Sequence, residues 1–165
     1  MQPIKDKIFK RKCYIFSEPH RSIVSRQVLV EEPVAFFAAK QAHQDGIGIN
    51  QNIKFDNVPL NLGNGYHPGH GLFIAPKAGL YLFSSSLLTH QVNIVELHAA
   101  ITVNGNTVAK VYGHGDSGRH DQGSQTVLVR LDINDEVYVR NIDIANDYVY
   151  GELASTFSGV LLYDM

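Results

Sequence analysis

From Val34 to Tyr163 the chain is cut into short apolar or β-branched runs by turn residues, and no run repeats with the 3.6-residue period of a helix. The clearest break is Asn104-Gly105, which stands between Ala99–Val103 and Asn106–Tyr112. Both residues accept the positive φ angles of a type I′ turn, so the segment reads as a β-hairpin. Val34–Ala39 is a short apolar run of the buried-strand kind. Asp45–Gly71 is rich in Gly, Asn and Pro, with extended pieces at Ile53–Val58 and Tyr66. Further strands are expected over Leu72–Ala75, Leu80–Thr89, Thr126–Leu131, Glu136–Asn141 and Phe157–Tyr163. Polar loops are expected over Gly113–Gly123 and Asp143–Glu152. About eight to ten strands at this spacing imply an all-β sandwich or jelly roll.

Length and composition agree with one such domain. A chain of 165 residues, 44% hydrophobic and 18% charged, can bury a core without disulfides or metals. Cys13 is the only cysteine, which rules out an intrachain disulfide; it reads as a buried thiol or, in a secreted chain, as half of an interchain bridge. Residues 1–33 form a separate basic arm, ending at Glu31-Glu32-Pro33. Seven basic residues face two acids in residues 1–30, while acids outnumber bases in the remainder. The arm lacks the dense basic run of a nucleic-acid tail, so no nucleic-acid partner is expected. No apolar run reaches the length of a membrane span, and residues 1–12 lack the apolar core of a signal peptide.

One spaced array is more specific than generic strand chemistry. Phe55, Asn61, Tyr66 and Phe73 are followed by Gly79-x-Tyr81-x-Phe83, and Ser155-Thr-Phe-Ser-Gly-Val-Leu-Leu-Tyr163 closes the chain. Alternating aromatics of this kind can fill a sandwich core, and Gly79 reads as a tight turn into its strand. Together with Asp121-Gln122-Gly-Ser124 and Asp135-Glu-Val-Tyr138, the array over residues 34–165 resembles the C1q-type globular head. Ser85 replaces a signature aromatic and Tyr138 replaces a Trp, both read as changes to core packing. The resemblance implies a ten-stranded jelly roll shared with tumour necrosis factor-like ligands. It also implies a trimer, here a homotrimer, usually extracellular and therefore secreted, with a role in recognition. Residues 1–33 lack a Gly-X-Y repeat, so a head-only or truncated form is expected.

Three sets of residues carry candidate chemistry. In His114-Gly-Asp116-Ser-Gly-Arg119-His120-Asp121, the resemblance places a calcium-binding acid at Asp121, and Gly113 lies where a second acid is expected. Asp116 is the candidate substitute, and His114 and His120 with Asp116 and Asp121 also suit zinc or copper. A second histidine pair, His67 and His70, lies elsewhere. For ligand binding, Arg119, His120, Asp121, Tyr148 and Tyr150 offer planar hydrogen bonds and stacking surfaces from exposed loops. The Arg favours anionic ligands such as sialic acid or lipid headgroups. No Gly-x-Ser-x-Gly elbow, phosphate loop or dinucleotide fingerprint is present, so the chain is not expected to be an enzyme.

The leading expectation is a trimeric, lectin-like pattern-recognition protein of innate immunity that binds glycans or microbial surface molecules. The alternatives are a receptor-binding ligand of the tumour necrosis factor-like type and a metal-binding structural protein of extracellular fluid or matrix.

Overall fold

The computed structural model describes residues 32–89, 95–115 and 118–165; Cys13, the basic residues of the arm and Asp116 lie outside them. The regular elements among the described residues are all strands. They are β1 (Ala35–Ala39), β2 (Gln44–Ile47), β3 (Asn57–Leu62), β4 (Tyr66–His67), β5 (Leu72–Ile74) and β6 (Gly79–Leu88), then β7 (Val95–Val103), β8 (Asn106–Gly115), β9 (Gln122–Leu131), β10 (Glu136–Asn141), β11 (Asp147–Val149) and β12 (Thr156–Asp164). Ten of them build two five-stranded sheets, ordered β3-β1-β12-β6-β9 and β4-β5-β10-β7-β8. This is the expected jelly roll, with β2 and β11 added as a two-stranded ribbon.

The Asn-Gly signal is realised as read. Asn104 and Gly105 have φ of 48° and 83°, and Val103 pairs with Asn106 across the turn. The Asn104 side chain also fastens the turn to a neighbouring loop. Its Nδ2 donates to Asp135 Oδ1 at 2.8 Å, and its Oδ1 accepts from the Glu136 amide at 2.9 Å. The Gly113–Gly123 loop is shorter than its polarity suggests. Backbone pairing carries β8 to Gly115 and starts β9 at Gln122, because ladder hydrogen bonds do not depend on side-chain polarity.

The core is aromatic, and Phe36 lies at its hub. Its ring meets Tyr66 at 4.7 Å, Phe157 at 5.0 Å, Phe73 at 5.2 Å and Phe83 at 6.2 Å. Gly159 makes room for this cluster, since a Cβ there would lie 2.5 Å from Phe83 and 2.6 Å from Phe36. Asn61 clamps the Tyr66 backbone, accepting from its amide at 3.1 Å and donating to its carbonyl at 2.9 Å. The spaced array thus encodes a core plus one backbone clamp.

Three details differ from the sequence reading. Gly79 makes no turn; it allows β6 and β12 to approach, since a Cβ would lie 2.3 Å from the Tyr163 carbonyl oxygen. Tyr138 is half-buried on β10 between the buried Val137 and Val139, so it points away from the core that its replacement was expected to alter. Ser85 is buried, and its hydroxyl donates to the Thr156 carbonyl at 3.2 Å.

One row of the outer face of the first sheet is apolar. Register places Leu62, Ala35, Val160, Leu82 and Leu128 in one row across all five strands. Leu60 and Phe37 begin the next row, which ends in Ser158, Ser84 and Thr126. Leu128 is 60% exposed, and Phe37, Leu60 and Leu62 are 40–42% exposed.

Candidate recognition site

The β2–β11 ribbon carries most of the candidate site. His43 precedes β2, Tyr148 lies on β11 and Tyr150 follows it. Residues 150–153 are fastened to residues 40–43 by backbone bonds. The Glu152 amide donates to the Gln41 carbonyl at 3.0 Å, and the Leu153 amide donates to the Lys40 carbonyl at 2.8 Å. Gly151 sits at the closest approach, where a Cβ would fall 2.6 Å from the Gln41 oxygen. Glu152 and Leu153 both hold left-handed φ angles, 54° and 65°. Two such residues in succession persist only where surrounding contacts fix them.

This frame assembles four rings into a ladder. The His43 ring lies 5.7 Å from Tyr148 and 4.5 Å from Tyr150, and Tyr150 lies 4.7 Å from His120. Both imidazoles are held by hydrogen bonds. His43 Nδ1 accepts from the Gly151 amide at 2.9 Å, and His120 Nδ1 lies 2.6 Å from the Thr89 carbonyl oxygen. His43 and His120 are exposed, while Tyr148 and Tyr150 are half-buried. Burial pushes the Tyr148 hydroxyl above the usual phenol value, followed by the charges of Tyr150, Asp45 and Glu152. Desolvation likewise raises Tyr150, together with the charge of Glu152 and a hydrogen bond to it.

The structure therefore brings His120, Tyr148 and Tyr150 together, with Arg119 exposed beside His120. It adds His43, which sequence reading missed; a lone histidine in a polar stretch carries no signal of its partners. Asp121 plays a different part. Its carboxylate accepts from the His114 amide at 2.8 Å and from the Gln122 amide at 3.0 Å, bracing the loop. The His114 ring turns to β7, with Nδ1 3.6 Å from Glu96. Glu96 also lies 3.6 Å from His98 Nε2, and His98 Nδ1 meets Asp143 at 2.7 Å. Behind His98, Asp147 is fully buried, and burial raises its carboxyl to about 6.

The C1q domain model matches residues 35–162, nearly all of the sandwich. The chain belongs to the C1q domain family. Complement C1q tumor necrosis factor-related protein 3 of Mus musculus and of Homo sapiens is 32% identical over 136 residues, which is 81% of this chain and 53% of each relative. Heavy metal-binding protein HIP of Mytilus edulis is 29% identical over 77% of this chain and 60% of its own length. The chain spans about half the length of the first of these relatives. The globular domain of zebrafish complement 1qA superposes with a TM-score of 0.67 at 13% identity, covering 80% of this chain and 99% of that one. Murine APRIL superposes at 0.63 with 12% identity, covering 79% of this chain and 100% of its own, so the shared property there is the fold. C1q and tumour necrosis factor-like domains are ligand or recognition domains, not enzymes, and they usually form trimers. Among the described residues no helix is long and apolar enough to cross a membrane.

The calcium expected from the C1q resemblance is left with one acidic side chain among the described residues, since Asp116 lies outside them. Calcium takes six to eight oxygens. Asp121 is the one acid of the expected set among the described residues, and both its oxygens already accept backbone amides. Gly113 lies where the second acid is expected, and a Cβ there would lie 2.8 Å from the Thr89 side chain. For zinc or copper, no group of three or more His, Cys, Asp or Glu among the described residues is placed to hold an ion.

Proposed function

We propose that this C1q domain is a secreted, trimeric recognition module of innate immunity that binds glycans or other microbial surface molecules. The binding face is the Tyr148–His43–Tyr150–His120 ladder, and that ladder is the observation that carries the reading. Planar side chains lose little entropy on binding and offer large contact area, and their polar edges supply hydrogen bonds. Here four rings stand at one rim of a rigid sandwich, on backbone that is cross-bonded.

The apolar row on the β3-β1-β12-β6-β9 sheet supports the trimer reading. A contiguous exposed apolar face of this kind is an interaction surface. A closed cyclic assembly buries one such face per subunit and leaves three copies of the ladder exposed. Three linked weak sites raise avidity by about 10²–10⁴ over one.

The test is an array of glycans and microbial surface molecules probed with the intact protein, first with calcium and then with excess chelator. Selective capture of one ligand class, lost in Tyr150→Ala, supports the reading. A blank array from a folded trimer refutes it and turns the search to receptor partners of the tumour necrosis factor-like kind.

A further inference from the structure

We infer that His98 is a proton-operated latch that fixes the β10–β11 connection, residues 142–146, to β7. His98 meets that connection at both ends. Its carbonyl accepts from the Ile142 amide at 2.9 Å, and its ring Nδ1 lies 2.7 Å from Asp143 Oδ1. Its backbone amide faces the carboxylate of Asp147, the first residue of β11. The connection leads into the β2–β11 ribbon, so the latch acts on the frame of the ladder and stands whatever the ladder binds.

The ring lies between two carboxylates. Nδ1 meets Asp143 on one side, and Nε2 lies 3.6 Å from Glu96 Oε2 on the other. Nε2 is buried and has no hydrogen-bond partner. A neutral imidazole carries one N–H and one lone pair. With the proton on Nδ1, the Nε2 lone pair faces Glu96. With the proton on Nε2, the Nδ1 lone pair faces Asp143 at hydrogen-bonding distance. Either tautomer sets a lone pair against an anion. Only the imidazolium presents an N–H to both sides, so the latch closes by gaining a proton.

The groups around the ring act in the same sense. Tyr112 on β8 packs on it at 4.8 Å, and His114 on β8 meets the other oxygen of Glu96 at 3.6 Å. From β11, Asp147 is fully buried with Oδ2 unpartnered. Three carboxylates therefore surround one imidazole, and among the described residues no Lys or Arg forms an ion pair with them. Histidine changes charge near neutral pH. Acidification puts a cation among these anions and closes the latch; raising the pH removes it and leaves the anions facing a neutral ring.

Amide exchange on the intact protein tests this between pH 6.5 and 8, corrected for the intrinsic rate at each pH. That range lies above the window in which Asp147 takes up its own proton. The reporters are the Ile142 amide, bonded to His98, and the Tyr148 amide, which donates to Asp147 Oδ1 at 2.7 Å. Their protection should fall as pH rises, by up to about tenfold per pH unit for one linked proton, while that of the Phe83 amide in the core does not. His98→Gln should remove the pH dependence. In Glu96→Gln the new amide can donate to Nε2 of the neutral ring, so protection at pH 8 should rise and its pH dependence should shrink. Glu96 is exposed at the rim, so this variant keeps the test open if His98→Gln fails to fold. Protection that does not change with pH in the parent, or a pH dependence that survives in both variants, would overturn the inference. A fall of equal size at Phe83 would assign the effect to global unfolding and overturn it as well.

Discussion

His43 accepts the amide proton of Gly151 through Nδ1 at 2.9 Å, and this bond joins the backbone frame of the site to its aromatic ladder. The same ring that secures the 150–153 segment lies between Tyr148 and Tyr150. The backbone frame and the proposed recognition face meet in this one side chain.

His43→Ala should therefore lose both. Removing the acceptor of a part-buried amide costs about 1–2 kcal/mol. Urea denaturation should show this as a lower midpoint at unchanged slope, and ligand affinity should fall beyond what the stability change explains. An unchanged midpoint would contradict the bond's role.

Gly159→Ala tests the aromatic hub. The added methyl meets the Phe36 and Phe83 rings at 2.5–2.6 Å, so the core must shift, at a cost of about 1–3 kcal/mol. Thermal unfolding should fall by several degrees, with the Tyr near-ultraviolet signal altered.

Asp147 predicts a pH dependence of fixed sign. Burial raises its carboxyl from 3.8 to about 6, against the Tyr148 amide and His98, which favour the ionised form. Between these values the folded chain keeps a proton that the unfolded chain releases, so stability falls as pH rises from about 4 to about 6. This single group should account for about 1–3 kcal/mol. Asp147→Asn should flatten the profile in that window, as read by denaturation at a series of pH values. A profile as steep as that of the parent protein would contradict the assignment.

The outer sheet face predicts assembly. The intact protein should sediment as a trimer, and Leu128→Glu with Leu60→Glu should sediment as a folded monomer, because assembly would then bury unpaired carboxylates. A double variant that remains trimeric would place the interface elsewhere.

The legible parts of the molecule were those whose signals are local. Asn104-Gly105 fixes a turn by its own φ preferences, and Phe36, Phe73, Tyr81 and Phe83 alternate on strands whose inner faces form the core. The β2–β11 ribbon reads as loop in the sequence because Gln44–Ile47 is polar and includes Gly46 at φ 64°; its pairing comes from tertiary packing. The site was half-legible for a related reason. Tyr148, Tyr150 and His120 stood out by residue type, but a carboxylate such as Asp121 looks the same in sequence whether it holds an ion or braces two amides. His43 joins the site across more than 100 positions of chain, and only the fold reveals it.

The central claim, that the ladder is the recognition face, is tested most directly by comparing one array-selected ligand on the parent trimer and on Tyr148→Ala/Tyr150→Ala. The account predicts loss of binding by at least about a hundredfold, amplified by three linked sites, with the trimer intact by sedimentation. Unchanged binding to an intact trimer would contradict it and place recognition on another surface of the domain.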